Sequence, residues 1–261
     1  MMKRLLRSLK KHPALYEFLR YDIYARIRSI DREHVFLKVY ENNYWDGDCS
    51  ISGPGSSLES TQAVREALPN LLAKLGARSI LDIPCGDVQW MKDVPLGVEQ
   101  YIGADIVLPL IQKNREIFGE RGEFFHLDLL RDRLPSADVI FCRDCLVHLS
   151  FREIQLALDN IKMASPKHFI TTTFPYHKAN ADTVTPYWRA LNMQLSPFNL
   201  PQPIHLIKDF SDVQGNDQGK YLGVWSTDDL RHPDYRRFSR TPAYGACLPA
   251  TLNHSSRRNR Q

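Results

Sequence analysis

This sequence predicts an α/β chain built on a doubly wound parallel sheet, and two observations carry that prediction. Short apolar runs alternate with segments of helical periodicity between residues 79 and 174, the pattern of repeated strand–helix–strand units. Three of the runs end on an aspartate: Ser79-Ile80-Leu81-Asp82, Tyr101-Ile102-Gly103-Ala104-Asp105 and Glu123-Phe124-Phe125-His126-Leu127-Asp128, with 23 residues from each aspartate to the next. Open parallel sheets bind ligands outside the carboxyl ends of their strands. Three carboxylates there predict a pocket for a ligand rich in hydroxyls and amines.

The elements follow in order. Residues 1 to about 40 read as a basic helical lead-in interrupted at Pro13, followed by Tyr40-Glu41-Asn42-Asn43-Tyr44-Trp45 and the loop Ser52-Gly53-Pro54-Gly55-Ser56. Ser56 and Glu59 have capping-box spacing, which starts a helix there. Val64, Leu68, Leu71, Leu72 and Leu75 carry its apolar face. Pro69 is expected to kink or divide it, and Gly76 to end it. Strand 79–83 leads to a short helix from about Asp87 to Val94, and strand 100–105 to a helix over 108–118 that stops near Gly119. Strand 123–127 leads to a loop holding Leu134-Pro135, and strand 138–142 to a turn and a helix after Ser150. Ser150 and Glu153 repeat the capping box, with Ile154, Ala157, Leu158 and Ile161 as the buried face. Strand 168–174 closes the alternation. Residues 175–203 are irregular and proline-rich, a length of loop that usually has a function. Two last strands near 204–210 and 220–225, joined by a short loop, suit an antiparallel hairpin.

Composition bounds the answer further. With 261 residues, 43% hydrophobic and 25% charged, the chain is long enough for one large α/β domain with additions. The expected organisation is a basic helical extension over 1–50, the main domain over 51–240 and a flexible basic tail over 241–261. A net charge of +4 is too mild to imply nucleic acid. No run approaches the ~20 apolar residues of a membrane span, and the start lacks an apolar core for a signal peptide. Leu5, Leu6 and Leu9 among basic residues leave two readings of that start: a helix lying on an anionic membrane surface, or a helix packed on the domain. Five cysteines, an odd count, point to free thiols in a reducing compartment. A cytoplasmic location is therefore expected, at the inner membrane face if the first reading of the start holds. Cys142 ends the apolar run Val139-Ile140-Phe141, which makes it a core residue rather than half of a metal or redox pair. No metal-ligand spacing is present.

The ordered set Leu81-Asp82-Ile83-Pro84-Cys85-Gly86-Asp87, Gly103-Ala104-Asp105-Ile106, Leu127-Asp128-Leu129 and Asp138-Val139-Ile140-Phe141-Cys142-Arg143-Asp144 resembles the class I S-adenosylmethionine-dependent methyltransferases. Ser52–Ser56, Cys142–Leu149 and Leu191-Asn192 near Pro197-Phe198 look like an uncharacterised bacterial-type subgroup. The resemblance covers roughly residues 50–226. It implies a seven-stranded Rossmann-like sheet with a terminal antiparallel hairpin, and S-adenosyl-L-methionine as cofactor. It departs from the family at the first turn, where Pro84-Cys85-Gly86-Asp87 has one glycine in place of several.

By that resemblance Asp82 orders the loop and the amino group of the methionine moiety. Cys85 and Gly86 make the turn beneath it, and Asp87 supports the same ammonium. Asp105 accepts from both ribose hydroxyls. Asp128 accepts from the adenine amine, with Ile106 and Leu129 sandwiching the ring. The plain alternative is that Asp82 or Asp87 caps a helix and Asp128 starts a turn. Trp45 and Trp90 either line the site or pack the core.

At the fourth strand end, His148 has the pKa range of a general base; the bland reading is a backbone hydrogen bond. Asp144 either orients that imidazole or takes the proton itself. Arg143 either binds an anionic acceptor or pairs with Asp144. The expected activity is methylation, on oxygen or nitrogen, of a small molecule or glycan, with residues 175–203 as acceptor lid. Three other classes compete. An NAD(P)-dependent oxidoreductase is weakened by the missing G-x-G-x-x-G, and an RNA methyltransferase by the lack of an RNA-binding appendage. A non-catalytic membrane-surface or partner-binding protein with a vestigial pocket is weakened by the intact Asp82, Gly86, Asp105 and Asp128.

Overall fold

The structure is a computed structural model that describes residues 31–47, 50–209 and 219–230. The basic start before residue 31, Cys49, most of the last hairpin loop and the tail lie outside the described residues. Helices are α1 (Arg32–Glu41), α2 (Gln62–Lys74), α3 (Leu108–Phe118) and α4 (Phe151–Ala164). Strands are β1 (Ser79–Asp82), β2 (Gln100–Asp105), β3 (Glu123–His126), β4 (Val139–Cys142), β5 (His168–Thr173), β6 (His205–Lys208) and β7 (Tyr221–Ser226). No helix among the described residues is long and apolar enough to cross a membrane.

The seven strands form one sheet in the order β3-β2-β1-β4-β5-β7-β6. β1 pairs in parallel with β2 and β4, β3 with β2, and β5 with β4. β7 runs antiparallel between β5 and β6, so the expected hairpin is present with its second strand inserted inward. Strand alternation sends successive side chains to opposite faces. Leu81, Ile140 and Phe169 join α4 on one face, while Ile80, Val139 and Ile170 join α2 and α3 on the other. With both faces covered, the central strands read as nearly continuous apolar runs, as parallel sheets do.

The helices follow their sequence signals, with three differences. Ser150 caps α4 with the full capping box to Glu153. Gly76, at φ 61, ends α2 in a left-handed turn in which the Ala77 N–H reaches Leu72 O at 3.0 Å, the double closure of a Schellman motif. The first difference is the start of α2. Pro54–Ser56 is a single 3-10 turn and the helix begins at Gln62, because Ser57 Oγ turns back to the Ser60 N–H and does not open a helix at Ser56. Secondly, Pro69 lies inside α2 without dividing it; Leu68, Leu71 and Leu72, all buried, anchor the turns on either side. Thirdly, residues 87–94 are turns and not a helix. Val88 takes φ 58, which no right-handed helix accommodates.

Residues 175–203 contain no regular element, but much of the segment is core. Leu191, Met193, Phe198 and Leu200 are buried with the α4 face of the sheet. The Arg189 guanidinium ties the segment to Leu146 O and Leu149 O, and Asn192 fastens it to Pro175 O and His177 O.

Candidate functional site

A cavity of about 490 Å³ opens over the carboxyl ends of β1, β2 and β4, where the strand order reverses direction from β1. Asp82, Cys85, Gly86, Asp87, Asp105, Ile106, Asp128, Leu129, Arg143, Asp144 and His148 all line it. The geometry thus brings together every site residue named from the sequence, while giving several of them different partners.

Asp82, the last residue of β1, is buried and accepts from the Tyr101 hydroxyl at 2.7 Å. Burial pushes its pKa up to about 7, against the lowering effect of that hydrogen bond. Asp105, the last residue of β2, accepts from the Val107 N–H at 3.0 Å and the Gly86 N–H at 3.2 Å. Burial raises it to about 6 despite these bonds. Between them the chain turns at Gly86, whose φ of 56 and whose contact with Ser52 leave no room for a Cβ. Asn114 of α3, itself buried, donates to Gly86 O at 2.8 Å and fixes that turn from behind.

Asp87 does not cap a helix. Its carboxylate accepts from Ser50 Oγ and the Ile51 N–H, both at 3.0 Å, and its own N–H donates to Ser52 Oγ. Its work is to hold the 50–52 segment against the glycine turn. Asp128 accepts from the Leu130 N–H at 2.9 Å and from Arg32 of α1.

The raised pKa of Asp82 has a measurable consequence. Between its ordinary value of 3.8 and about 7 the folded state holds a proton that the unfolded state has released, so this residue costs stability progressively as pH rises through that window. Asp82→Asn removes the penalty. Its melting temperature minus that of the parent protein should grow from about pH 4 to about pH 7; a constant difference across that range would contradict the assignment.

The fourth strand end carries a charge quartet, with Arg143, Asp209 and Lys220 buried and Asp144 partly exposed to the cavity. The Arg143 guanidinium meets Asp209 through Nε at 2.9 Å and Nη2 at 3.0 Å, donates to Gly55 O at 2.8 Å, pairs with Asp144 Oδ2 through Nη1 at 3.4 Å as the second sequence reading has it, and lies 5.3 Å from the Trp90 ring centroid. Lys220 Nζ sits 2.5 Å from Asp144 Oδ2 and 3.2 Å from Asp209 Oδ2. Arg143 therefore has its donors committed inside the protein and is not a free anion-binding group. Burial alone would raise the Asp144 carboxyl, but Lys220 and Arg143 outweigh it and hold it down at about 2. A carboxylate that acidic is a poor proton acceptor.

Asp144 does not orient His148. The imidazole Nδ1 lies 3.0 Å from Pro186 O, and since a carbonyl only accepts, Nδ1 carries the hydrogen. That leaves Nε2 as a lone-pair acceptor. The ring packs against Trp45, centroids 5.0 Å apart. Burial lowers the His148 pKa to about 4, so the imidazole stays neutral at physiological pH. Trp188, half exposed and edge-on to Phe174, completes this end of the cavity.

Sequence reading missed Lys220, Asp209, Tyr101, Asn114 and Arg32. One signal was available: Asp209 directly follows β6, repeating the strand-end acid of the first three strands. β6 runs the same way as β1–β5, so its end reaches the same edge of the sheet, and Lys220 stands there just before the antiparallel β7.

The fold now permits comparison. The structure of the N-methyltransferase NodS from Bradyrhizobium japonicum WM9 in complex with S-adenosyl-L-homocysteine superposes with a TM-score of 0.53, over 72% of this chain and 97% of that one, at 13% identity. This chain has the fold of the class I S-adenosylmethionine-dependent methyltransferases. Human N-acetylserotonin methyltransferase in complex with SAM also superposes, at a TM-score of 0.49 and 13% identity over 78% of this chain and 61% of that one. No protein-family model matches the chain, and no curated protein matches it in sequence. Within the methyltransferase fold the cavity occupies the strand ends on both sides of the β1–β4 reversal, where doubly wound sheets place their ligands.

Proposed function

We propose that this chain is an S-adenosylmethionine-dependent methyltransferase acting on a hydroxyl oxygen of a small-molecule or glycan acceptor. One observation carries the reading. Buried carboxylates at the ends of β1 and β2 line the same cavity as a neutral imidazole whose free nitrogen is an acceptor. Among the described residues neither Asp82 nor Asp105 forms an ion pair, and both have pKa values raised by burial. A ligand bearing positive charge and hydroxyls supplies what these carboxylates lack. The NodS structure, which shares the fold, holds S-adenosyl-L-homocysteine.

The donor supplies a methyl group on a positively charged sulfur. Asp105 accepts from its ribose hydroxyls, Asp82 faces its ammonium group, and Ile106 and Leu129 pack on the base beside Asp128. His148 receives the acceptor hydroxyl at Nε2. As the methyl carbon leaves sulfur and bonds to the acceptor oxygen, the hydroxyl proton passes to Nε2. The donor leaves as a neutral thioether, and the positive charge ends on the imidazolium, which releases its proton to solvent. Trp188, half exposed, offers a ring on which the apolar face of a sugar or a planar acceptor can rest, with Phe174 packed edge-to-face behind it. Holding donor and acceptor in line supplies much of the acceleration in such a displacement.

Calorimetric titration with S-adenosylmethionine and, in parallel, with NAD tests the reading. Heat is expected with the first and none with the second; the reverse would replace the proposal with a nucleotide-dependent oxidoreductase. Asp105→Asn keeps the shape of the strand end but removes the charge from two hydrogen bonds. It should weaken donor binding roughly 100-fold, the scale of two charge-assisted bonds. Unchanged affinity would remove Asp105 from the ribose site.

A further inference from the structure

Tyr101 is the one hydrogen-bond partner of the Asp82 carboxylate among the described residues. β1 and β2 pair so that Ile80 stands opposite Tyr101 and Asp82 opposite Gly103. Side chains two residues apart on a strand share a face, so Tyr101 reaches Asp82 diagonally, and its hydroxyl donates to Asp82 Oδ2 at 2.7 Å. The ring that carries this hydroxyl is itself fixed. Phe124 of β3 meets it edge-on, centroids 6.1 Å apart. Gly122 leaves it room, since a Cβ there would stand 2.7 Å from Tyr101 Cδ1. Burial pushes the Tyr101 pKa well above its ordinary value of 10, so the hydroxyl keeps its hydrogen and remains a donor.

The carboxylate is only half engaged. Asp82 Oδ1 takes no hydrogen bond among the described residues, and Asp82 belongs to the cavity wall. Its surroundings disfavour its charge. Burial and the Asp105 carboxylate oppose ionisation, whereas the Tyr101 hydrogen bond and, more weakly, Arg143 favour it. Cys85 and Cys142 also lie near Asp82, but burial and neighbouring groups raise both thiols well above their ordinary value and leave them uncharged. Tyr101 is thus the strongest support of the charged form. We propose that Tyr101 is a positioning residue for the donor site, its hydroxyl orienting the Asp82 carboxylate and keeping it ready to ionise when the donor's ammonium group arrives. This rests on the adenosyl-donor reading above. With Asp82 at about 7, much of the protein at neutral pH must release the Asp82 proton to solvent as the donor binds.

Tyr101→Phe keeps the ring and removes only the hydroxyl. S-adenosylhomocysteine, which carries the same ammonium group, is titrated calorimetrically into the parent chain and into this variant from about pH 5.5 to about pH 8.5. The affinity of the parent should fall as pH drops through about 7, with a further fall below about 6 from Asp105. In Tyr101→Phe the first fall should begin about one pH unit higher, the scale of one hydrogen bond to a charged group. The variant should then bind roughly five- to tenfold more weakly between about pH 6 and pH 7 and nearly as well as the parent at about pH 8.5. A parent profile that stays level through pH 7, or a fall at the same pH in both proteins, would overturn the assignment and leave Tyr101 as a core residue. The unliganded proteins repeat the test without a donor. The stability that Asp82 costs as pH rises should level off near 7 in the parent and about one unit higher in the variant; coincident profiles would overturn the link. Failure of the parent chain to bind the thioether would overturn the donor reading itself, and this unliganded comparison would still decide whether Tyr101 governs Asp82.

Discussion

Replacing Arg143 with methionine should destabilise the protein by about 3 kcal/mol, the lower end of the ~3–5 kcal/mol seen when one partner of a buried ion pair is removed. Asp209 is the reason. Its side chain is fully buried, and without Arg143 its one remaining ion-pair partner among the described residues is Lys220, at 3.2 Å. At the ~2–4 °C per kcal/mol typical of chains of this size, the melting temperature should fall roughly 6–12 °C. Lys220 holds the effect at the lower end, because half of the charge compensation survives. The pairing account makes a second demand. Adding Asp209→Asn to Arg143→Met should recover a large part of the loss, since the stranded charge is then gone. Two losses that simply add would show that Arg143 acts through its packing on Trp90 instead.

The second large effect concerns His148. His148→Gln should lower methyl transfer roughly 10²–10⁴-fold, the usual worth of a positioned general base, with donor affinity unchanged. In the proposed arrangement the affinity is unaffected, because the imidazole meets the acceptor whereas the strand-end carboxylates hold the donor. The pH profile gives an independent check. With its pKa lowered to about 4 by burial, His148 is unprotonated at every pH above that value. With donor saturating, so that Asp82 and Asp105, at about 7 and about 6 in the free protein, do not enter the profile, the rate should stay level through the neutral range and fall only as pH approaches about 4. A rate for the glutamine variant within a few-fold of the parent, or a limb of the profile near pH 6.5 in place of pH 4, would remove His148 from the chemistry.

The strands themselves and the location of the pocket were legible because both are written locally. An apolar run ending on an aspartate marks a strand and its edge together, and this pattern placed Asp82 and Asp105 on the cavity before any coordinates. The turn at Gly86 and the capping box at Ser150 were legible for the same reason. What escaped was of two kinds. Local geometry against propensity was one: Val88 in a left-handed conformation turns a helical-looking stretch into turns, and Ser57 diverts the start of α2. Partnership across the chain was the other. Asp144 reads as the natural companion of His148, four residues away, yet it pairs with Lys220, 76 residues on, while the imidazole finds Pro186 O. Nothing near Asp144 in the sequence announces either choice, because both depend on which strand lies next to which.

The position of β7 sets an order of events during synthesis. β6 is translated before β7, but among the described residues its one sheet neighbour is β7, so it waits at the margin of the sheet until the later strand inserts beside β5. Asp209 waits with it, and Lys220 arrives at the head of the inserting strand. The five parallel strands can assemble as they leave the ribosome; the charge cluster at the fourth strand end cannot. Its last cation arrives in one late step, when β7 docks, so a nascent chain halted short of residue 220 would present the carboxylates of β1 and β2 beside an Asp144 that still lacks Lys220.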